Sequence, residues 1–375
     1  LYLYPKLIEI YPMIKSEYLN TISSIFEKRG FTKIETPIIE NSDIYLRKLG
    51  PELAGQLYSF IDPDGNNVTL RPEFTSSVIR QFIENKPTSK PTRYSYEGPI
   101  FRHNIESNEK TQAGVEIIGG HDTDYEVIKT AADGLAGLNF NNITLKIGHI
   151  GILSSILDQF EFSDILKLLL VQNINEIKDG TFDEKSFYEE MGNGQENPEV
   201  IPKATSHSAN ILNELIEKVM LNYVSGSTGR RTQHEIIFSL MQKWSDLDNK
   251  KSFIQALDKL QTVSNVSGKP LDVIELLKET LKDLTQPSDI MTSLETTLSQ
   301  LLNNVQQDIN IEVDLGYVRG ISYYTGIIFD FSIEGTSVCG GGRYDDLVQI
   351  LGGPSTPAVG FAYDIESILN LKQQK

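Results

Sequence analysis

The chain has a single cysteine, Cys339, in 375 residues, so no disulfide can form within it. That fits a reducing compartment, where thiols stay unpaired. Basic residues are also scarce: 34 Lys and Arg stand against 51 Asp and Glu, a formal net charge of −17. Such a field repels phosphate backbones, so nucleic acid is a poor default partner. No run reaches the roughly 20 apolar residues that span a bilayer, and Leu166–Val171 is interrupted by Lys167. The first residues lack the charged start and cleavage site of a signal peptide. These absences predict a soluble cytoplasmic protein with no membrane partner. The five histidines, at 103, 121, 149, 207 and 234, are scattered without ligand spacing, so neither a metal site nor a cofactor is expected. There is no P-loop and no Ser-His-Asp arrangement.

What is present reads as a globular α+β chain: 39% hydrophobic and 23% charged residues are ordinary values. Residues 6–30 repeat apolar side chains at helical spacing (Leu7, Ile10, Ile14, Tyr18, Ile22) up to Gly30. Lys33–Glu40 reads as a strand, with Pro37 marking an edge or an interface. The segments 57–61 and 67–70 flank Asp62-Pro63-Asp64-Gly65-Asn66 and predict a hairpin. A short helix follows over 75–84. Strands are predicted at 93–102 and 114–119, a helix at 124–138 and a strand at 143–147. Residues 154–304 change to helical pattern, broken by polar joints at 192–198 and 225–231. Strands resume at 309–318, 326–333 and 337–340, and a last helix starts near Tyr363. This order predicts an antiparallel sheet of six or seven strands, built from 1–153 and 305–375, with 154–304 as a helical insertion.

Three segments carry candidate chemistry. In Thr69-Leu70-Arg71-Pro72-Glu73-Phe74-Thr75, Glu73 and Thr75 suit an ammonium group, or simply the start of a helix. Gln112, Gly114 and Glu116 alternate, so a strand puts them on one face. A buried Glu116 needs a donor, which a ligand's imidazolium or ring N–H supplies; an exposed sheet edge or a salt bridge explains it without a ligand. In Arg319-Gly320-Ile321-Ser322-Tyr323-Tyr324-Thr325-Gly326, Arg319 suits a carboxylate or an ion pair, and Tyr324 a ring nitrogen or a place in the core. Gly340, Gly341 and Gly342 allow something flat to approach the backbone.

In order, these segments resemble class II aminoacyl-tRNA synthetases of the histidine type. Gly30–Glu40 resembles the first class motif, with Pro37 on its dimer-forming strand. Tyr96–Gly119 resembles the second, with Arg102 as its phosphate-binding arginine. Arg319–Gly326 resembles the histidine-specific motif, Gly340–Asp345 the glycine strand after it, and Val359–Ser367 the third class motif. The likeness covers about 5–150 and 305–370, and the helical middle matches in position only. It implies that Glu73, Thr75 and Gln112 surround an α-amino group, that Arg319 faces the carboxylate, and that Glu116 and Tyr324 bracket an imidazole. Arg102 and Tyr323 complete the expected histidine set, over a floor of Gly340, Gly341 and Gly342.

Departures qualify the activity. Ser367 stands where the third motif ends in an arginine, and Ser322 where the histidine motif has an aspartate. The loop 103–111 is short, lacks the family's arginines and carries Asn104 where the family has a glutamate. Adenylation needs cations aimed at phosphates. The chain also ends about where a tRNA-reading domain begins, so no anticodon-binding domain is expected. Such a body resembles the regulatory subunit of ATP phosphoribosyltransferase. That resemblance implies a non-catalytic chain that binds L-histidine, forms a homodimer core and joins a catalytic phosphoribosyltransferase subunit in histidine biosynthesis. The alternatives are an enzyme that still activates histidine, or joins it to an acceptor other than tRNA, and a tRNA-sensing module, which the charge disfavours.

Overall fold

The computed structural model describes residues 4–46, 55–86, 91–103, 107–162, 164–183, 250–280, 288–305, 308–318 and 323–373. Arg319, Ser322, Asn104, both polar joints, His207 and His234 lie outside the described residues.

A long amphipathic helix opens the chain, α1 (Tyr4–Lys28), which Gly30 ends at φ +80°. The predicted strand over 33–40 is instead split into β1 (Thr32–Lys33) and β2 (Ile39–Asn41). Pro37 cannot donate to a ladder. The carbonyls of Thr36 and Pro37 turn away to accept hydrogen bonds from the Arg71 guanidinium, at 2.8 and 3.2 Å. After α2 (Asp43–Leu46), the predicted hairpin forms as β3 (Ser59–Ile61) and β4 (Asn67–Leu70). With β2 these make a small antiparallel sheet in the order β2-β4-β3. It exposes the apolar residues Ile39, Phe60 and Ile61.

Among the described residues, the main sheet has nine strands. Its central ones are β5 (Thr92–Phe101), β6 (Glu109–Ile118), β7 (Ile143–His149), β10 (Ile327–Ile333), β11 (Thr336–Arg343) and β12 (Ala358–Asp364). The short β8 (Ser267–Gly268) and β9 (Ile309–Asp314) lie at one edge and β1 at the other, in the order β1-β5-β6-β12-β11-β10-β7-β9-β8. The centre is antiparallel; β1 with β5 and β7 with β9 are parallel. The count exceeds the predicted six or seven because β1 and β8 are two-residue strands without a periodic signal, and β12 was not foreseen. Tyr363, predicted to open the last helix, belongs to β12. The helix itself, α12 (Ile365–Gln373), follows.

Between these strands come α3 (Thr75–Glu84), α4 (Asp124–Gly137), α5 (Ile150–Leu157), α6 (Asp164–Gln172), α7 (Ile174–Lys178), α8 (Lys250–Ser264), α9 (Pro270–Thr280), α10 (Ser288–Asn304) and α11 (Leu347–Ile350). One face of the sheet is the core against α1 and α4. There Phe26, Phe361 and Tyr363 pack ring to ring, and the Tyr363 hydroxyl donates to the Ala131 carbonyl at 2.6 Å. Apolar residues of α6, α7 and α8 join the same continuous core. Among the described residues, no helix is long and apolar enough to cross a membrane.

Candidate histidine-binding site

The other face of the sheet carries the site. Register places Glu116 opposite Gly360 and Gly360 opposite Gly342, so these three share a face across β6, β12 and β11. Gln112 and Gly114 precede Glu116 on the same face of β6, as the alternation predicts. On β5, Tyr94 and Tyr96 pair with Glu116 and Gly114.

Glu116 is 1% exposed and is met by three hydroxyls. Thr75 Oγ1 donates at 2.8 Å, the Tyr96 hydroxyl at 3.1 Å, and the Tyr344 hydroxyl through a further short bond. The donor demanded by a buried carboxylate is therefore supplied by the protein, not by a salt bridge. Burial pushes the Glu116 carboxyl up to about 7; the three hydroxyls oppose the shift and the nearby Glu73 carboxylate adds to it. The group is thus poised between a hydrogen-bond donor and an anionic acceptor near neutral pH.

Glycines make room for this arrangement, although not as an open floor. The Glu116 carboxylate lies across Gly360, where any Cβ would overlap it. The Tyr96 hydroxyl lies over Gly114, 2.6 Å from a Cβ built there, and the Tyr324 ring lies over Gly342, at 2.9 Å. Protein side chains, not a bare ligand, occupy the sheet's close approaches. Gly340 shares this face, being paired with Ala362 next to Gly114 in the ladder. Gly341 does not. Its position faces the helix-covered core, and a Cβ there would lie 2.6 Å from Phe361 Cβ. Its expected place in the pocket floor is corrected accordingly, because successive residues of a strand alternate faces.

Glu73 and Thr75 stand at the start of α3. Glu73, 4% exposed, accepts the Ser76 backbone N–H at 3.1 Å and the Ser76 hydroxyl. The helix-start interpretation therefore holds for Glu73, which caps the first turn. It fails for Thr75, whose hydroxyl points to Glu116 instead. The Arg71 guanidinium fixes this segment by donating to the Pro99, Thr36 and Pro37 carbonyls and stacking on Phe74 at 3.8 Å, while Phe74 stacks on Tyr96 at 4.5 Å. Tyr323 and Tyr324 are buried beside them, with ring centroids 4.9 Å apart, and Tyr323 meets Tyr344 edge-on at 5.5 Å. Burial raises the Tyr323 phenol well above its ordinary range, with Tyr324, Glu73 and Glu116 adding to the effect, so it stays a neutral donor.

The structure thus gathers Glu73, Thr75, Glu116, Tyr323 and Tyr324. Gln112 and Arg102 lie further along, around a cavity of about 110 Å³. Arg102 is oriented there by a 2.8 Å bond from Nε to the Pro72 carbonyl. The sequence reading missed Tyr96 and Tyr344 as site residues. In the sequence alone nothing separates either from a core aromatic. Among the described residues, no three His, Cys, Asp or Glu side chains gather as metal ligands.

This arrangement of strands, glycines and carboxylates has known relatives. The histidyl-tRNA synthetase family profile matches residues 14–204 and 231–368. The chain belongs to that family. A histidine–tRNA ligase of Methanocaldococcus jannaschii is 30% identical over 361 residues, covering 93% of this chain and 70% of that ligase. The ligase of Sulfurisphaera tokodaii is 29% identical over 358 residues, covering 92% of this chain and 68% of its own. Two solved structures share the fold. One is an ATP phosphoribosyltransferase regulatory subunit/histidyl-tRNA synthetase of Bacillus halodurans, with 19% identity, TM-score 0.64, and 95% of this chain and 78% of that one covered. The other is a histidine–tRNA ligase subunit of Alicyclobacillus acidocaldarius, with 20% identity, TM-score 0.60, and 96% and 94% covered.

Two expectations change. The family match extends into the helical middle, which therefore resembles the family in sequence and not in position alone. The expectation of a non-catalytic chain is overturned: the relatives at about 30% identity over more than nine-tenths of this chain are ligases, hence enzymes. Ser367 and the altered loop remove individual cations, while Arg102 and the buried carboxylate site keep their frame, so those losses did not justify excluding catalysis.

Proposed function

We propose that this chain binds L-histidine beside Glu116 and activates its carboxyl group with a nucleoside triphosphate, forming an acyl-adenylate and releasing pyrophosphate. The observation that carries this is the Glu116 cluster. A carboxyl group at about 7, set among three hydroxyls, accepts an imidazole N–H once it ionises. Glu73 supplies negative charge on the same side for an ammonium. The sequence resemblance assigns the substrate carboxylate to Arg319. Joining a carboxylate to an acceptor requires a leaving group on its carbonyl carbon, and a nucleotide phosphate provides one.

Calorimetric titration of L-histidine tests the pocket. Glu116→Ala should weaken binding by about tenfold or more, since a hydrogen bond to a charged group contributes about 1.5–3 kcal/mol. Equal affinity in the variant would remove Glu116 from the site.

A second function, regulation of a phosphoribosyltransferase subunit by histidine, is supported by Ser367, which leaves the third motif without its cation. The Bacillus halodurans protein of the same fold bears both names. L-Histidine added to a short-form ATP phosphoribosyltransferase, with and without this chain, distinguishes the two. Inhibition only when the chain is present supports regulation; no effect discards it.

A further inference from the structure

The ligand face of β6 continues outward from Glu116 and Gln112 to Lys110, two residues further on and therefore on the same side. Lys110 Nζ lies 2.8 Å from Asp364 Oδ2, and both side chains are about three-tenths exposed. Asp364 is opposite Gln112 in the ladder. Its other oxygen accepts the Ser367 backbone N–H at 3.0 Å, so Asp364 caps α12 at the residue where a side-chain cation is missing. The cavity of about 110 Å³ is lined by Arg102, Lys110, Asn108, Gln112 and Asp364. With Gln56 also on its wall, it presents two cations and three amides, with one carboxylate holding the second cation aside.

A triphosphate needs several positive charges along its length, because developing charge on the phosphates must be met by groups already in place. Arg102 alone supplies one. Ser367 supplies none. Lys110 is the other cation on this cavity, and its four-carbon stem lets the ammonium move several ångströms without disturbing the strand. We propose that Lys110 replaces the absent arginine: it leaves Asp364 and, with Arg102, holds the phosphate chain of a nucleoside triphosphate. The assignment rests on the histidine-activation function for its choice of ligand. Asp364 then acts as a brake, competing for the ammonium and repelling phosphate.

The test is calorimetric binding of MgATP to the full chain and to Lys110→Ala, Lys110→Arg and Asp364→Asn, with L-histidine binding measured alongside. Lys110→Ala should weaken MgATP about tenfold or more, the scale of one charge-assisted contact. Lys110→Arg should stay near the parent, and Asp364→Asn should bind a few times more tightly. Histidine affinity in the absence of nucleotide should be unchanged in all three. Exposed pairs of this kind add little stability, so the variants should fold; matched thermal unfolding checks this, and Lys110→Met repeats the test if alanine does not fold. MgATP affinity unchanged in Lys110→Ala, or weakened equally in Asp364→Asn, overturns the assignment, as does a parent chain that binds no MgATP. Lys110-dependent MgATP binding without histidine-dependent pyrophosphate exchange would leave Lys110 in place and sink histidine activation instead.

Discussion

At the scale of single residues, Glu116 decides most of the behaviour. A carboxyl group that titrates at about 7 when buried, against an ordinary value near 4.3, holds its proton more tightly in the folded chain than in the unfolded one. The folded state therefore loses relative stability as pH rises from about 4 through 7. Glu116→Gln removes the titration and keeps a side chain of the same size. Its stability relative to the parent should rise between pH 5 and pH 8, by about 2 kcal/mol, read from urea midpoints at both values. A pH-independent difference would show that the carboxyl group is not held protonated. His149 has the opposite sign. Burial lowers it to about 4, so its contribution is present above about 6.5 and lost as pH falls through 4. Across pH 4.5–6.5 the two offset one another, and only the comparison with the Gln variant isolates Glu116.

At the scale of elements, legibility tracked periodicity. The opening helix, the hairpin, α3 and α4 stand close to their predicted places, because helical spacing or turn residues mark them; β5 and β10 do too, while β6 begins at Glu109, five residues before its predicted start. β12 was missed for the opposite reason. Five of its seven residues are buried, on both faces, and a strand buried on both sides shows no alternation. Its glycine could not be read as a bulge or a close approach without knowing its neighbour. The structure supplies that neighbour: Gly360 lies under Glu116, and its carbonyl abuts Gly341. In the site, Glu73, Thr75 and Glu116 were legible as polar residues at informative spacings. Tyr96 and Tyr344 were not, because a tyrosine reads as a core aromatic until the strand across from it is known. Gly341→Ala tests this packing. A Cβ there meets backbone that cannot move aside, so the fold should lose about 1–3 kcal/mol in urea unfolding. Unchanged stability would mean that β11 and β12 are not in this register.

At the scale of the whole molecule, a nine-stranded sheet keeps an apolar core on one face and a chain of carboxylate, hydroxyl and amide groups on the other. The chain spans about 70% of the length of ligase relatives it matches. Its net charge of −17 repels anions at long range, so the proposed hold on a phosphate chain falls to local cations, Arg102 and Lys110. The central claim, that this framework activates histidine, is tested most directly by histidine-dependent exchange of labelled pyrophosphate into ATP. Exchange that requires L-histidine and falls in Glu116→Ala is the expected result. No exchange at high protein concentration, with both L-histidine and MgATP shown to bind, would contradict it.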